Sequence, residues 1–352
     1  MLLEGVFAAV TTPFYPDERV YYRKLEANIA RYSRSLLAGM VVLGSTGEAV
    51  TLSDEETREV LRTAAEAAAP EKVLIAGVSR ESVHLTVELA ESAAKFQYDA
   101  ILVRTPSYYT NQMPTEAVLT YFRSIADRSP LPVVLYNIPR FVPYQIPVEV
   151  VAELAQHPNI IGIKESSGKL DRVKNLLAST RSTPRHRVTV TPMFEAVTER
   201  MLQVKESPRE ESAFVPASDL TGGTALVALP VAPPKTRTKD VGFQVLTGSV
   251  GSMLESLEAG SSGAILAFGA CAPQACQEVY LAWKDHDLEL AREKQQRIAA
   301  SAQRIVAELG ITGVKFACDF NGYFGGRARL PLLPLDSGKK AEIESLLANI
   351  RN

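Results

Sequence analysis

Eight short runs of β-branched and small apolar residues alternate with amphipathic helical segments along this chain, and that rhythm leaves few folds open. The runs are Val6 to Thr11, Gly39 to Leu43, Lys72 to Val78, Ala100 to Arg104, Pro132 to Tyr136, Ile160 to Lys164, Phe243 to Thr247 and Gly263 to Phe268. Between them lie segments such as Asp54 to Ala68, Ser82 to Ala94, Thr115 to Asp127 and Val148 to Gln156. Several of these open on a Ser, Thr or Asp that can cap free N–H groups. Parallel strands joined by crossover helices write this pattern, and eight such units predict an α/β fold of the TIM (β/α)8 barrel class. A doubly wound open sheet needs a glycine-rich phosphate turn after its first strand, where this chain has Thr11-Thr12-Pro13.

Two departures from the rhythm set the expected domain organisation. Between the sixth helix, ending near Ser179, and the seventh strand lie roughly sixty residues, far more than a usual connection. Pro184, Pro192, Pro208, Pro216, Pro230, Pro233 and Pro234 and the Gly222-Gly223 pair mark this stretch, about 181–241, as an insertion rather than a ninth unit. Within it Pro192 to Val204 has a helical pattern and Thr224 to Val231 reads as a strand. Because it follows a helix and precedes a strand, its anchors are expected at the N-terminal face of the barrel, opposite the chemistry. Residues 1–268 are thus the barrel, interrupted by the insertion, and 269–352 a C-terminal helical extension with helical patterns over Ala272 to Leu309 and Ser337 to Ile350. That extension suits either subunit contacts or a purely intramolecular cap.

Composition removes several function classes. Thirty-eight basic residues stand against 40 acidic ones, with no basic block, so nucleic acid is not an expected partner. No run approaches the roughly 20 apolar residues of a membrane span. The N-terminus carries Glu4 and reaches Pro13 without a cationic leader, so a soluble, cytoplasmic protein is expected. Cys271, Cys276 and Cys318 suit buried free thiols in a reducing compartment. None of the four histidines sits at metal-ligand spacing to another His or Cys, so no metal site is expected.

The strand ends then name the chemistry, because in this architecture reacting groups come from strand C-termini and the loops after them. Lys164 closes the apolar run Ile160-Ile161-Gly162-Ile163, where burial disfavours the ammonium form and leaves neutral amine able to attack a carbonyl. The alternative is a lysine that snorkels to solvent. After the second strand, Gly44-Ser45-Thr46-Gly47-Glu48 offers backbone N–H groups and two hydroxyls to a carboxylate, though it also reads as an ordinary glycine turn. Tyr136 ends the strand before Lys164, from which its hydroxyl can pass a proton to or from a lysine-bound intermediate. Thr105-Pro106-Ser107-Tyr108-Tyr109 puts phenols at the rim, Gly248 and Ser249 allow close approach of substrate, and Ile265 contributes a small apolar wall. Imine formation at a carbonyl lets a bond at the carbon next to it break or form through an enamine, and no cofactor is required.

GSTGE at 44–48, P-x-Y-Y at 106–109, YNIP at 136–139 and GIKES at 162–166 resemble, in order and spacing, the dihydrodipicolinate synthase and N-acetylneuraminate lyase family. The resemblance covers the chain outside the insertion. It implies a TIM barrel of tetrameric or dimeric habit, with Lys164 forming an imine with pyruvate or another 2-oxo acid and Tyr136 as the proton-transfer phenol. It also implies that Ser45 and Thr46 bind the keto-acid carboxylate and relay protons, and that Tyr108 reaches into a neighbouring subunit's site.

Within the family, dihydrodipicolinate synthases usually follow the tyrosine motif with Pro-Ser-Arg-Thr-Gly. Here Arg140 stands one position early and Phe141 takes the arginine's place, which weakens the case for aspartate semialdehyde. Ser166 and the segments Leu154 to Ile160, Phe243 to Ser249 and Gly322 to Gly326 are more similar to the 4-hydroxy-2-oxoglutarate aldolases. Cleavage of a 4-hydroxy-2-oxo acid to pyruvate and glyoxylate is therefore the first expectation. The alternative is condensation of pyruvate with aspartate semialdehyde, which Arg140 would serve by swinging in to a distal carboxylate. Sialic acid lyase, sugar-acid dehydratase and a non-catalytic 2-oxo-acid-binding protein are lesser options.

Overall fold

The computed structural model describes residues 1–203 and 235–350. Eight parallel strands close into a barrel: β1 (Gly5–Ala9), β2 (Gly39–Val42), β3 (Val73–Gly77), β4 (Ala100–Arg104), β5 (Val133–Asn137), β6 (Ile160–Glu165), β9 (Gln244–Thr247) and β10 (Gly263–Leu266), the last pairing with β1. Each overlaps one of the eight runs. The last run is shorter than expected, because Phe268–Ala270 turns into a 3-10 helix instead of continuing β10.

Strands buried on both faces sort their residues by parity. On β3, Val73 and Ile75 enter the barrel interior with Phe7, Leu102, Val134 and Leu246, whereas Leu74 and Ala76 face the helical layer. Burying each such Leu or Phe stabilises the fold by about 1.5–3 kcal/mol relative to exposure. The helices over the strands begin where the capping residues stand. α1 (Tyr22–Ser33) is followed by α2 (Asp54–Ala67), opened by a reciprocal cap in which Ser53 Oγ accepts the Glu56 N–H at 3.1 Å and Glu56 Oε2 accepts the Ser53 N–H at 2.9 Å. Ser82 caps α3 (Val83–Lys95) through the Leu85 N–H. α4 (Thr115–Arg128), α5 (Val148–Leu154) and α6 (Leu170–Ser179) complete this stretch.

The segment after α6 contains a two-stranded antiparallel sheet, β7 (His186–Val190) with β8 (Arg237–Val241), separate from the barrel sheet. These strands are largely exposed; β7 alternates only over Val188 and Val190, and β8 is polar except at its last residue, too little for the pattern of a half-buried strand. The helical pattern of 192–204 shrinks to one turn, α7 (Glu199–Gln203), and the strand expected at 224–231 lies outside the described residues. The segment's described residues before 204 pack at the N-terminal end of the barrel. Thr198 Oγ1 donates to the carbonyl of Pro70, and Arg200 donates to the carbonyl of Lys72 and to Asp99 Oδ2, all just ahead of β3 and β4. Burial dominates at this ion pair, pushing the Asp99 carboxyl up to about 6 against the opposing Arg200 charge and lowering Arg200 against the opposing Asp99 charge.

α8 (Met253–Ala259) joins β9 to β10, and beyond the barrel run α9 (Pro273–Lys284), α10 (Leu288–Ala302), a π-helical segment Gln303–Glu308, α11 (Gly310–Phe320) and α12 (Ser337–Leu347). The helical stretch expected over 272–309 is divided at His286, whose φ of 63° follows the end of α9, and Asp287 caps α10 by accepting the Leu290 N–H. α11 went unpredicted. The three cysteines are buried and unbridged, and burial pushes the thiols of Cys276 and Cys318 up to about 12. Among the described residues no helix is long and apolar enough to cross a membrane.

Candidate active site

At the C-terminal mouth, β5 and β6 run in register so that Tyr136 lies opposite Lys164. Tyr136 shares the barrel interior with Leu246, and Lys164, paired with both, is 4% exposed. Its Nζ lies 4.3 Å from the centroid of the Tyr136 ring, a cation–π distance at which the phenol also orients the amine. Lys164 is therefore buried rather than snorkelled.

The next residue points the opposite way. Glu165 faces the helical layer, where its carboxylate accepts from Asn137 Nδ2 (2.9 Å to each oxygen), from the Ser167 N–H (2.7 Å) and from Arg172 Nε (2.6 Å). Asn137 Oδ1 in turn accepts the Ile146 N–H at 3.1 Å, which ties the loop after β5 to the same cluster. Sequence reasoning quoted Glu165 only as part of a motif; the signal for its role was Arg172 seven residues on, one helix turn into α6.

The loop 44–48 forms a 3-10 turn at Ser45–Gly47, whose leading N–H groups have no acceptor within the turn. It is bracketed by two non-glycine residues in the left-handed region, Leu43 at φ 60° and Glu48 at φ 54°. Such conformations cost about 1–3 kcal/mol each and persist only when neighbours over-determine them. For Leu43 the neighbour is Gly77, where a Cβ would stand 2.0 Å from the Leu43 carbonyl oxygen. For Glu48 it is a buried ion pair: Oε1 lies 2.5 Å from Lys315 Nζ, and Oε2 accepts the Arg329 N–H at 2.9 Å. Lys315, on α11, is fully buried, donates also to the Arg327 carbonyl at 2.7 Å, and has its pKa lowered by burial against the pull of Glu48. Arg329 grips Glu56 with both carboxylate oxygens, at 2.8 and 2.9 Å. The C-terminal extension is therefore bolted to this loop. Neither Lys315 nor Arg329 was singled out from sequence, because nothing local to a helix marks a partner 267 residues away.

A cavity of about 510 Å³ opens here. Gly44, Ser45 and Tyr136 line it, along with Ser79, Ser107 and Arg104 on the polar side. Ile311 and Leu332 of the extension join Leu43 and Phe141 on the apolar side, so the extension contributes to the site as well as capping the barrel. Lys164 is not itself a lining residue; it lies behind Tyr136. Thr46 is buried just under the turn, and Ile265 is fully buried within the barrel interior. Ser166 sits against Gly248, where a Cβ would lie 1.9 Å from Ser166 Oγ, so only glycine fits there. That Oγ is buried with no hydrogen-bond partner among the described residues. Of the expected residues only Gly44, Ser45 and Tyr136 line the cavity; Gly47 lies in the turn beside it, and two more are exposed away from it within this chain. Tyr108 is 79% exposed, and Arg140 is exposed with Nη1 donating to the Val306 carbonyl at 2.9 Å. Phe141, its neighbour, takes the place at the cavity wall.

The dihydrodipicolinate synthetase family model matches residues 2–198 and 234–350. Among curated relatives, the 4-hydroxy-tetrahydrodipicolinate synthase of Hyphomonas neptunium is 29% identical over 350 residues, covering 99% of this chain and 98% of that protein. The protein of the same name from Methanothrix thermoacetophila is 26% identical over 349 residues, covering 99% and 97%. Among solved structures, a dihydrodipicolinate synthase from Bacillus anthracis shares the fold at a TM-score of 0.79 with 22% identity and full coverage of both chains. The pyruvate complex of the Acinetobacter baumannii enzyme does so at 0.78 with 24% identity over 99% of each chain. The matched residues include both β7 and β8 and carry the paired Tyr136 and Lys164, and the chain belongs to the dihydrodipicolinate synthetase family of Schiff-base-forming lyases.

Proposed function

We propose that this protein makes or breaks a carbon–carbon bond next to the carbonyl of pyruvate through an imine on Lys164. The observation that carries the reading is the inward pair Tyr136 and Lys164 on adjacent strands, with the amine 4.3 Å from the phenol ring at the edge of the cavity. The Lys164 amine adds to the C2 carbonyl, and loss of water gives the protonated imine. A proton leaving C3 yields the enamine, which attacks an aldehyde; the reverse sequence releases one, and water then frees the lysine. Tyr136 moves protons, and the turn at Ser45 and Thr46 holds the carboxylate. Ser166 and Gly248 pack side by side after β6 and β9, which supports a role in shaping the keto-acid pocket.

For the partner aldehyde, the names of the relatives favour aspartate semialdehyde over glyoxylate, reversing the order drawn from sequence. One observation supports the glyoxylate reading: Phe141 at the cavity wall while Arg140 is engaged by Val306. Homo-oligomers are expected, since Tyr108 and Tyr109 are exposed at the rim with their rings in edge contact at 5.0 Å.

Borohydride reduction with pyruvate, followed by peptide mass mapping, tests the reading. An adduct is expected on Lys164 and none in Lys164→Ala. Tyr136→Phe should still form it while turnover falls by about 10²- to 10⁴-fold. An intact protein without the adduct would refute the mechanism. Rates of aspartate semialdehyde condensation and 4-hydroxy-2-oxoglutarate cleavage, measured side by side, decide the partner.

A further inference from the structure

The chemistry above leaves one cavity cation unused. Arg104 ends β4 two residues after the inward-facing Leu102, so it shares that face. It lies opposite Tyr136, which lies opposite Lys164. One level of the mouth therefore presents guanidinium, phenol and amine on three neighbouring strands, each about 4.8 Å from the next.

The guanidinium is held on one side. Nη1 donates to the Thr105 carbonyl at 2.8 Å, to Glu81 Oε1 at 3.2 Å and to Ser107 Oγ at 3.4 Å, and Nη2 donates to Glu81 Oε1 at 3.2 Å. Glu81 is already engaged by the Ser107 N–H, the Ser107 hydroxyl and the Tyr108 N–H, at 2.8, 2.9 and 3.0 Å. What remains without a partner among the described residues is Nε–H and the second Nη2–H. These are two parallel donors on one edge, the geometry that grips both oxygens of a carboxylate. Among the described residues lining the cavity, Arg104 is the one cationic side chain, and the one acid, Glu48, is committed to Lys315.

We propose that Arg104 is a specificity residue that binds a carboxylate at the end of the substrate remote from the imine. The substrate class is then a 2-oxo acid whose other end is also an acid, and the partner aldehyde carries its own carboxylate. This rests on Lys164 being the imine-forming residue. Arg104 takes the role that Arg140, held by Val306, does not fill.

The test is borohydride trapping at graded concentrations of 2-oxoglutarate and of 2-oxopentanoate, which matches its carbon count but ends in a methyl group. Wild type should reach half-maximal trapping with 2-oxoglutarate at a concentration about 10- to 100-fold lower, as a charge-assisted bidentate contact implies. Arg104→Met should abolish that preference by weakening 2-oxoglutarate alone, with pyruvate trapping unchanged. Arg104→Lys should keep part of it. An unchanged preference in Arg104→Met, or equal weakening of both acids and of pyruvate in both variants, would overturn the assignment. A wild-type protein that traps no pyruvate on Lys164 would instead remove the reading beneath it, and pyruvate, having no remote carboxylate, separates the two failures.

Discussion

Replacing Lys315 with Met should destabilise the protein by about 3–5 kcal/mol, because it strands a buried carboxylate. The side chains of Lys315 and Glu48 are 1% and 2% exposed, and 2.5 Å separates the charged atoms. At an effective dielectric near 20 this contact is worth about 6–7 kcal/mol of attraction, much of it offset by the desolvation of both ions. The loss on deleting one partner is therefore set by what the remaining ion suffers. Glu48 would keep the Arg329 N–H but lose its counter-charge, while the Arg327 carbonyl would lose the ammonium that donates to it. Replacing Glu48 with Gln at the same time removes the stranded charge, so the double variant should recover at least about 1 kcal/mol relative to the sum of the singles. Urea unfolding of the four proteins at one pH measures the cycle, and pyruvate trapping by borohydride reports on the Ser45 turn, which should need more pyruvate in Lys315→Met. A loss below about 1 kcal/mol in that variant, or strictly additive singles, would refute the claim that this pair holds the turn.

Two further outcomes follow from particular contacts. Gly248→Ala places a Cβ 1.9 Å from Ser166 Oγ and 3.0 Å from Ser166 Cα. The strand end must shift, so melting should show a loss of about 1–3 kcal/mol, and unchanged melting would contradict the close packing. Asp99, with a folded value of about 6 against an ordinary 3.8, binds its proton more tightly folded than unfolded. Its contribution to stability is thus largest below pH 3.8, falls by up to about 3 kcal/mol as pH rises to 6, and is level above that. The difference in urea stability between wild type and Asp99→Asn, followed from pH 4 to 7, should show that slope; a flat difference would mean that Asp99 does not titrate in this range.

The barrel was legible because parallel strands buried on both faces are near-continuous apolar runs, and eight of them at regular spacing leave little choice of topology. Lys164 and Tyr136 were legible for a related reason: parity along β5 and β6 puts both on the inward face, and each ends its run. What sequence did not disclose is what binds across the chain. Lys315 reads as one more helix lysine until α11 is folded against the 44–48 turn, and Arg104 reads as a strand-end surface charge until Glu81 turns it to the cavity. The β7–β8 pair escaped because β7 alternates over only two valines and β8 is almost wholly polar, and Arg140 was credited with a reach that the Val306 carbonyl takes up.

Lys164 and Glu165 are adjacent, one a base and the other an acid, and are sent to opposite faces of the same strand. A slip of β6 by one residue would swap them, placing an acid beside Tyr136 and an amine among Asn137, Arg172 and the helical layer. The three donor groups around Glu165, namely Asn137 Nδ2, the Ser167 N–H and Arg172 Nε, need an acceptor that an ammonium cannot supply, so the mis-set strand meets two penalties at once. The outward cluster thus works as a proofreading mark for the inward one. Chain-length changes within β6 are forbidden by the face of the barrel that never meets substrate.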